Sequence, residues 1–224
     1  AVLPHPKRPC ILLDVGANVD CKPRHLLHFA MMGSVYSHAV FHRRSPRVGL
    51  LSIGEEECKG NELTLQAHAL LKESTLHFGG NAEGRDLMRG VFDVVVCDGF
   101  VGNVVLKTSE GLAEFIMHHL KEEVQSSGLV SQLGALAMKP ALKSFKRKVD
   151  HTEYGGAPLL GLNGTCIICH GSSRAKAIMN ALRVAMEMVS ARVNDRIQEL
   201  LQANAFPQTT PVRAAEPLNG KLTA

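Results

Sequence analysis

The sequence predicts an α/β fold, a mostly parallel sheet with helices on both faces. Three observations carry this. Short runs that are apolar on both faces recur along the chain, and stretches of helical periodicity stand between them. Each strand-like run ends in a Gly-containing polar loop, the place where open parallel sheets bind ligands. The 224 residues are 45% hydrophobic and 21% charged, which suits one globular domain with a sizeable core.

The elements follow in order. Residues 11–15 form an apolar run ending at Gly16, a buried strand. Pro23 opens a helical pattern with Leu26, Leu27, Ala30 and Met31 on one face. Strands are expected over 47–53, 76–78 and 94–97, with a helix over 61–72. A helix is expected over 102–124, another buried strand over 165–169, and one long helix over 172–201. From Phe206 the chain is rich in Pro, Thr and Ala, and disorder is expected over 206–224.

Composition narrows the function. No run of about 18 apolar residues exists, so no membrane-spanning helix is expected. The start, 1–9, is polar and proline-rich without an apolar signal region, which predicts a cytosolic chain. It lacks an initiator Met, as a processed or fragmentary chain would. Six irregularly spaced cysteines read as reduced thiols. A net charge of +4 is too small to imply nucleic acid.

Four motifs sit where strands end. In the first, Leu12 to Cys21, Gly16 permits an unusual backbone angle, and Asp14 and Asn18 order the turn or face a ligand. In the second, Gly54 to Leu63, Lys59 stands ahead of a helix start that favours an anion. Its three acids, Glu55, Glu56 and Glu57, would repel phosphate unless they face elsewhere; the plain alternative is a solvated loop with Lys59 paired to a Glu. In the third, Asp98 to Lys107, a Gly-rich turn leads into a helix. Asn103 in its first turn either points an amide at an anion or caps the helix. The fourth joins Tyr154-Gly155-Gly156-Ala157 to His170-Gly171-Ser172-Ser173, where Ser172 or Ser173 caps a helix or meets a ligand. Asn81 to Arg85 adds a further polar strand end.

Cys166-Ile167-Ile168-Cys169-His170 matches a haem-attachment pattern, but residues three apart on a strand point to opposite faces. Neither haem nor metal is expected there. The remaining signal is electrostatic. Over 129–149, apolar Leu133, Leu136, Met138, Leu142, Phe145 and Val149 accompany five cations, Lys139, Lys143, Lys146, Arg147 and Lys148, with no acid from 129 to 149. Pro140 is expected to divide two helical pieces. Such a segment suits an anionic membrane or an acidic partner, the alternative being a surface helix packed on the core.

The runs 12–21, 54–57, 59–63, 80–86, 94–111, 154–157, 170–173 and 175–178 together resemble the phosphate acyltransferase family, in order, from about Ile11 to Val189. The resemblance implies a three-layer, Rossmann-like α/β/α fold, here a single domain over 1–205 with a protruding amphipathic helical tip over 126–150. It implies a homodimer without metal or organic cofactor. The implied reaction transfers an acyl group from acyl-carrier-protein thioester to inorganic phosphate, the product feeding a membrane glycerol-3-phosphate acyltransferase. The implied location is cytoplasmic and peripherally membrane-associated. This chain lacks the family's opening strand and Asp-Ala-Met-Gly-Gly-Asp motif, so part of the sheet and of the site is expected to lie outside it. A truncated, inactive homologue is the alternative.

Phosphate is itself the nucleophile in that reaction, and a thiol with a pKa of about 8.5 leaves with little acid help. The expectation assigns Lys59 and Asn103 as anion and oxyanion binders. His170 is either a proton carrier or a buried, hydrogen-bonded histidine. Asp14, Asn18, Glu55, Glu56, Asn81, Glu83, Asp98, Gly99, Gly102, Gly155, Gly156 and Ser172 are expected to line the substrate site.

Overall fold

The computed structural model describes residues 1–5, 9–149, 156–171 and 173–204. The main sheet holds β1 (Val2–Leu3), β2 (Cys10–Leu13), β3 (Val48–Leu51), β4 (Phe78–Ala82) and β5 (Val94–Val96), in the order β1-β2-β5-β3-β4. All neighbours are parallel except the edge strand β1, antiparallel to β2. The helices are α1 (Pro23–Phe41), α2 (Glu62–Glu73), α3 (Gly99–Ser126), α4 (Leu129–Val149), α5 (Ala175–Ser190) and α6 (Val193–Ala203). A separate antiparallel pair joins β6 (Ala157–Pro158) to β7 (Ile167–Ile168).

Alternation along the central strands feeds two cores. Ile11, Val48, Leu50, Val94 and Val96 face α1, α2, α5 and α6 through Leu26, Leu27, Leu71, Val184 and Ile197. Cys10, Leu12, Leu51, Val95 and Cys97 face the other way, onto Leu87, Phe92 and the α3 residues Val105 and Leu106. The result is a three-layer, Rossmann-like α/β/α fold with a mostly parallel sheet.

Local chemistry fixes the helix ends. Pro23 opens α1 with φ already suited to a helix, and α1 stops where His42 turns left-handed at φ 55°. Asn61 caps α2 by accepting from the Thr64 amide at 2.9 Å, and Thr64 Oγ1 accepts from the Asn61 amide at 2.9 Å. Asp98 caps α3, accepting from the Val101 amide at 2.8 Å.

Four expectations need correction. The 165–169 segment is no buried strand of the main sheet. β1 already occupies the β2 edge, and Ile167–Ile168 pairs with β6 instead, leaving Ile168 exposed. The 172–201 helix is two helices, broken where Arg192 turns left-handed at φ 51°. Helix α4 runs through Pro140, whose exposed position loses one N–H where water is at hand. The strand expected over 76–78 runs through Gly79-Gly80 to Ala82. Gly79 serves close packing there, since a Cβ on it would fall 2.5 Å from Arg47 Nε and 2.8 Å from Phe92 Cε1. The segment 206–224, where disorder was expected, lies outside the described residues.

Helix α3 has 28 residues, about 42 Å at 1.5 Å per residue, yet only Gly99 and Gly102 are buried. Its start is pressed against the loop leaving β2. A Cβ on Gly102 would lie 1.8 Å from the Asp14 carbonyl oxygen, and one on Gly99 would lie 2.6 Å from that of Asn18. Beyond this anchor α3 and α4 form an arm, and among the described residues none of α4 belongs to either core.

Two predictions follow from this packing. Gly102→Ala drives a methyl into backbone that cannot swing aside, so denaturant unfolding should show a loss of at least about 1–3 kcal/mol. A wild-type midpoint would mean that α3 does not dock here. Burial, with help from Asp93, pushes the Cys10 thiol up to about 12. Burial, with Asp98 and Asp14, pushes Cys97 well above the thiol range. A thiol reagent at mildly alkaline pH should therefore modify exposed Cys58 quickly and Cys10 and Cys97 only on unfolding. Mass spectrometry of the modified peptides decides, and fast labelling of Cys97 would contradict the packing.

Candidate active site

Strand β2 leaves the sheet toward α1 on one face, and its neighbour β5 leaves toward α3 on the other. Diverging exits from adjacent strands open a crevice at their carboxyl ends. A cavity of about 710 Å³ lies there. Its walls are the 14–18 loop, the first turns of α1 and α3, and the chain from β6 to Gly161.

Asp14 shapes the loop. Its carboxylate, only 4% exposed, accepts from the amides of Gly16 and Ala17 at 3.1 Å, from the Asn18 amide at 2.7 Å and from Asn18 Nδ2 at 2.9 Å. Four donors use up the lone pairs of a carboxylate. Asp14 and Asn18 thus line the cavity by building its floor. Gly16, at φ 126°, lies open beside Asn103; a Cβ on it would sit 3.7 Å from Asn103 Oδ1. Asn103 is exposed and lies in the second turn of α3, because the helix begins three residues earlier than expected and Asp98 is its cap. The capping alternative for Asn103 therefore falls away. Gly99 and Gly102 are packing positions that allow α3 this close to the loop.

Sequence reasoning passed over several lining residues. Lys107 lies one turn beyond Asn103 on the same cavity, its Nζ 2.8 Å from Glu110 Oε2. The i,i+4 spacing of Asn103 and Lys107 was the available signal. His25, His28, Phe29 and Met32 of α1 also line the cavity. Burial first, then His25 and Arg24, lowers the pKa of His28, which favours a neutral ring.

Lys59 stands elsewhere, exposed in the β3–α2 loop beside a second crevice of about 300 Å³ between the ends of β3 and β5. Gly60, Asn61, Thr64 and Asp98 line that crevice. Three of the nearby acids face other cations, while the Glu56 carboxylate stays beside the Lys59 stem, both within 2.9 Å of a Cβ built on Gly54. Glu57 pairs with Lys72 at 2.8 Å and Glu55 with Arg85 at 3.3 Å, while Glu83 also meets Arg85. Among the described residues no carboxylate pairs with Lys59, so the solvated-pair alternative does not hold. The Glu56 carbonyl accepts from Asn81 Nδ2 at 2.8 Å, which ties buried Asn81 to this loop and away from either cavity.

His170 is exposed, not buried. It lines a cavity of about 220 Å³ with Lys107, Glu110, Gly156 and Cys169, adjoining the first one through Lys107. Gly156, at φ 93°, lets β6 pass close to the Ile168 carbonyl. Gly155 and Ser172 lie outside the described residues. Among the described residues two clusters could hold a cation by geometry, Glu55 with Glu83 and Asp86, and His118 with His119 and Glu122. The first is already balanced by Arg85 and Arg89.

On the arm, Leu133, Leu136 and Phe145 are exposed at 65%, 63% and 51%, which rules out burial against the core. Leu142 is half-buried, and Lys139 and Lys143 are exposed. The side chains of Lys146, Arg147 and Lys148 lie outside the described residues. No described helix is long and apolar enough to cross a membrane.

A further cavity, about 950 Å³, lies away from the strand ends, between the last turns of α1 and the outer face of α5. Its lining is mostly apolar and includes none of the strand-end motif residues, so the chemistry is sought at the β2–β5 crevice.

Known proteins resemble this chain over most of its length. A family model described as Fatty acid synthesis protein matches residues 1–196. A phosphate acyltransferase of Thermodesulfovibrio yellowstonii is 59% identical over 200 residues, covering 89% of this chain and 58% of that protein. That of Syntrophotalea carbinolica is 58% identical over 196 residues, covering 88% and 56%. That of Aquifex aeolicus is 54% identical over 195 residues, covering 87% and 58%. The chain spans less than three fifths of the length of these relatives. With a match over most of its residues and a polar crevice at the strand ends, the chain belongs to the fatty acid synthesis protein family, which the named phosphate acyltransferases share.

Proposed function

We propose that the protein moves a fatty acyl group from acyl-carrier-protein thioester to inorganic phosphate, giving acyl-phosphate for phospholipid synthesis. The observation that carries this reading is the β2–β5 cavity, in a chain whose relatives bear the name phosphate acyltransferase. It has amide and ammonium donors on one side and apolar side chains on the other. An acyl thioester and an anion ask for those two surfaces.

The chemistry needs little beyond placement. A phosphate oxygen attacks the thioester carbonyl carbon, forming the C–O bond and moving the carbonyl electron pair onto oxygen. Collapse of that intermediate breaks the C–S bond and releases the carrier thiolate, which takes its proton from solvent. Asn103 is placed to donate to the oxyanion, and Lys107 adds positive charge one turn away. Lys59, unpaired by the acids around it, holds phosphate from the neighbouring crevice. Asp14, Asn18, Asp98, Gly99 and Gly102 position these groups. His170 is assigned to proton handling in the adjoining cavity. No step calls for a metal or an organic cofactor.

The homodimer, the cytoplasmic location and contact with an anionic membrane belong to the same reading. The exposed apolar and basic arm supports them. A membrane glycerol-3-phosphate acyltransferase would consume the product. A second reading is a truncated homologue that is inactive but keeps dimer, membrane or phosphate contacts.

The test is formation of hydroxylamine-trappable acyl-phosphate from acyl-carrier-protein thioester and phosphate. Product in the presence of a chelator is expected. Activity that disappears with chelator and returns with a divalent metal would overturn the mechanism. Asn103→Ala and Lys59→Ala should each lower turnover at least tenfold, about 1.4 kcal/mol of transition-state binding. Near-normal kinetics would remove that residue from the site.

Sedimentation with vesicles tests the arm. Binding to anionic vesicles should weaken with salt, since screening shortens the reach of the cations to about 8 Å at physiological ionic strength. Replacing Lys143, Lys146 and Lys148 with Glu should abolish it. Replacing Leu133, Leu136 and Phe145 with Ser should weaken it even at low salt. Parent-like sedimentation of both variants would place membrane contact elsewhere.

A further inference from the structure

His25, His28, Phe29 and Met32 form one stripe along α1, at i, i+3, i+4 and i+7, and all four line the 710 Å³ cavity. The stripe changes character along its length. Its histidines belong to the first two turns, where α1 leaves the 14–22 loop. Its apolar half follows, with Met32 seven residues beyond His25 (32 − 25), about 10 Å along the helix axis at 1.5 Å per residue. The facing wall is apolar as well, made of Pro158, Leu159 and Leu160.

Met32 closes the space between the two walls. Gly161 turns at φ 84°, and a Cβ there would lie 3.3 Å from Met32 Cε and 3.5 Å from its sulfur. Phe29, 8% exposed, is a fixed part of the wall. Met32 is half-buried, unbranched and able to adopt several rotamers. The lowered pKa of His28 favours a neutral ring midway, so the wall opposes no apolar ligand with a charge.

We propose that this cavity takes the acyl chain along the α1 stripe, carbonyl toward Asn103 and Lys107, and that Met32 against the Gly161 turn sets the longest chain accepted. The proposal rests on the acyl-transfer reading and adds the wall that holds the chain and the residue that measures it.

The experiment uses two readouts on the intact protein and on Met32→Ala and Met32→Phe. One is displacement of bound cis-parinaric acid by saturated fatty acids of graded length. The other is kcat/KM for acyl-phosphate formation over the same lengths. Met32→Ala should move the preferred length one or two methylenes longer. The ratio of long to optimal chain should rise about fourfold per methylene, at ~0.8 kcal/mol for each one buried. Met32→Phe should move it shorter. If Met32→Ala folds poorly, Leu159→Ala on the facing wall makes similar room. Unchanged length profiles in folded variants would overturn the proposal, as would an equal loss at every length. A length preference in displacement that Met32 shifts, without any acyl-phosphate formed, would sustain the chain site and overturn the reaction. Acyl-phosphate formation with an unmoved length profile would sustain the reaction and overturn the gauge.

Discussion

The Asp14 carboxylate holds the site together. A buried charge is costly unless it is hydrogen-bonded, and here three backbone amides and one side-chain amide meet it. Their convergence curls the 14–18 loop into a fixed shape. The Asn18 carbonyl then accepts from the Gly99 amide at 2.8 Å, tying the loop to the start of α3. Gly99 and Gly102 allow that contact, and it aims Asn103 and Lys107 at the cavity. The loop amides are consumed by Asp14, so they cannot also cradle a phosphate. The proposed reaction therefore assigns anion binding to side chains from α3 and from the β3–α2 loop.

Much of this was legible in the sequence because period and punctuation agree locally. Pro23 before an apolar stripe gave α1 its start, and Val94 to Val96 could only be a strand buried on both faces. The motif residues fell at strand ends because parallel sheets place their loops there. The illegible parts depend on contacts distant in sequence. Gly79 reads as a turn until Arg47 and Phe92 are seen against it. Arg192 breaks a pattern that stays periodic on both sides of it. Asp14 and Asn18 read equally well as ligand contacts or turn formers, and only the hydrogen bonds of the folded loop tell the two apart. Lys107 carries no signal in the sequence beyond its spacing from Asn103, since its relevance comes from the cavity that α1 and β6 close around it.

The charge around Lys59 bears on the proposed phosphate site. Three consecutive acids at 55–57 looked hostile to an anion beside Lys59. In the folded chain Glu55 and Glu57 are drawn off to Arg85 and Lys72, cations supplied by other elements. These are exposed pairs, individually worth little to stability. Their effect is on the local field, because among the described residues they leave Glu56 as the one acid of the 55–57 run without another cation beside Lys59. On α3 the arrangement is the opposite, since Lys107 is itself paired with Glu110 at the cavity edge.

The exposed apolar surface divides into two parts with different electrical surroundings. On α3, Leu112, Phe115, Ile116 and Leu120 are accompanied by His118, His119 and Glu122, whose contacts are mutual. On α4, Leu133, Leu136 and Phe145 stand among cations with no acid in the helix. A two-fold contact between copies brings like patches together, which penalises the basic α4 surface. An anionic bilayer favours it. Charge on the arm therefore adds to the proposal that α4 meets the membrane. A third apolar face, Met179, Leu182, Met186 and Val189 of α5, lies across the sheet from α3.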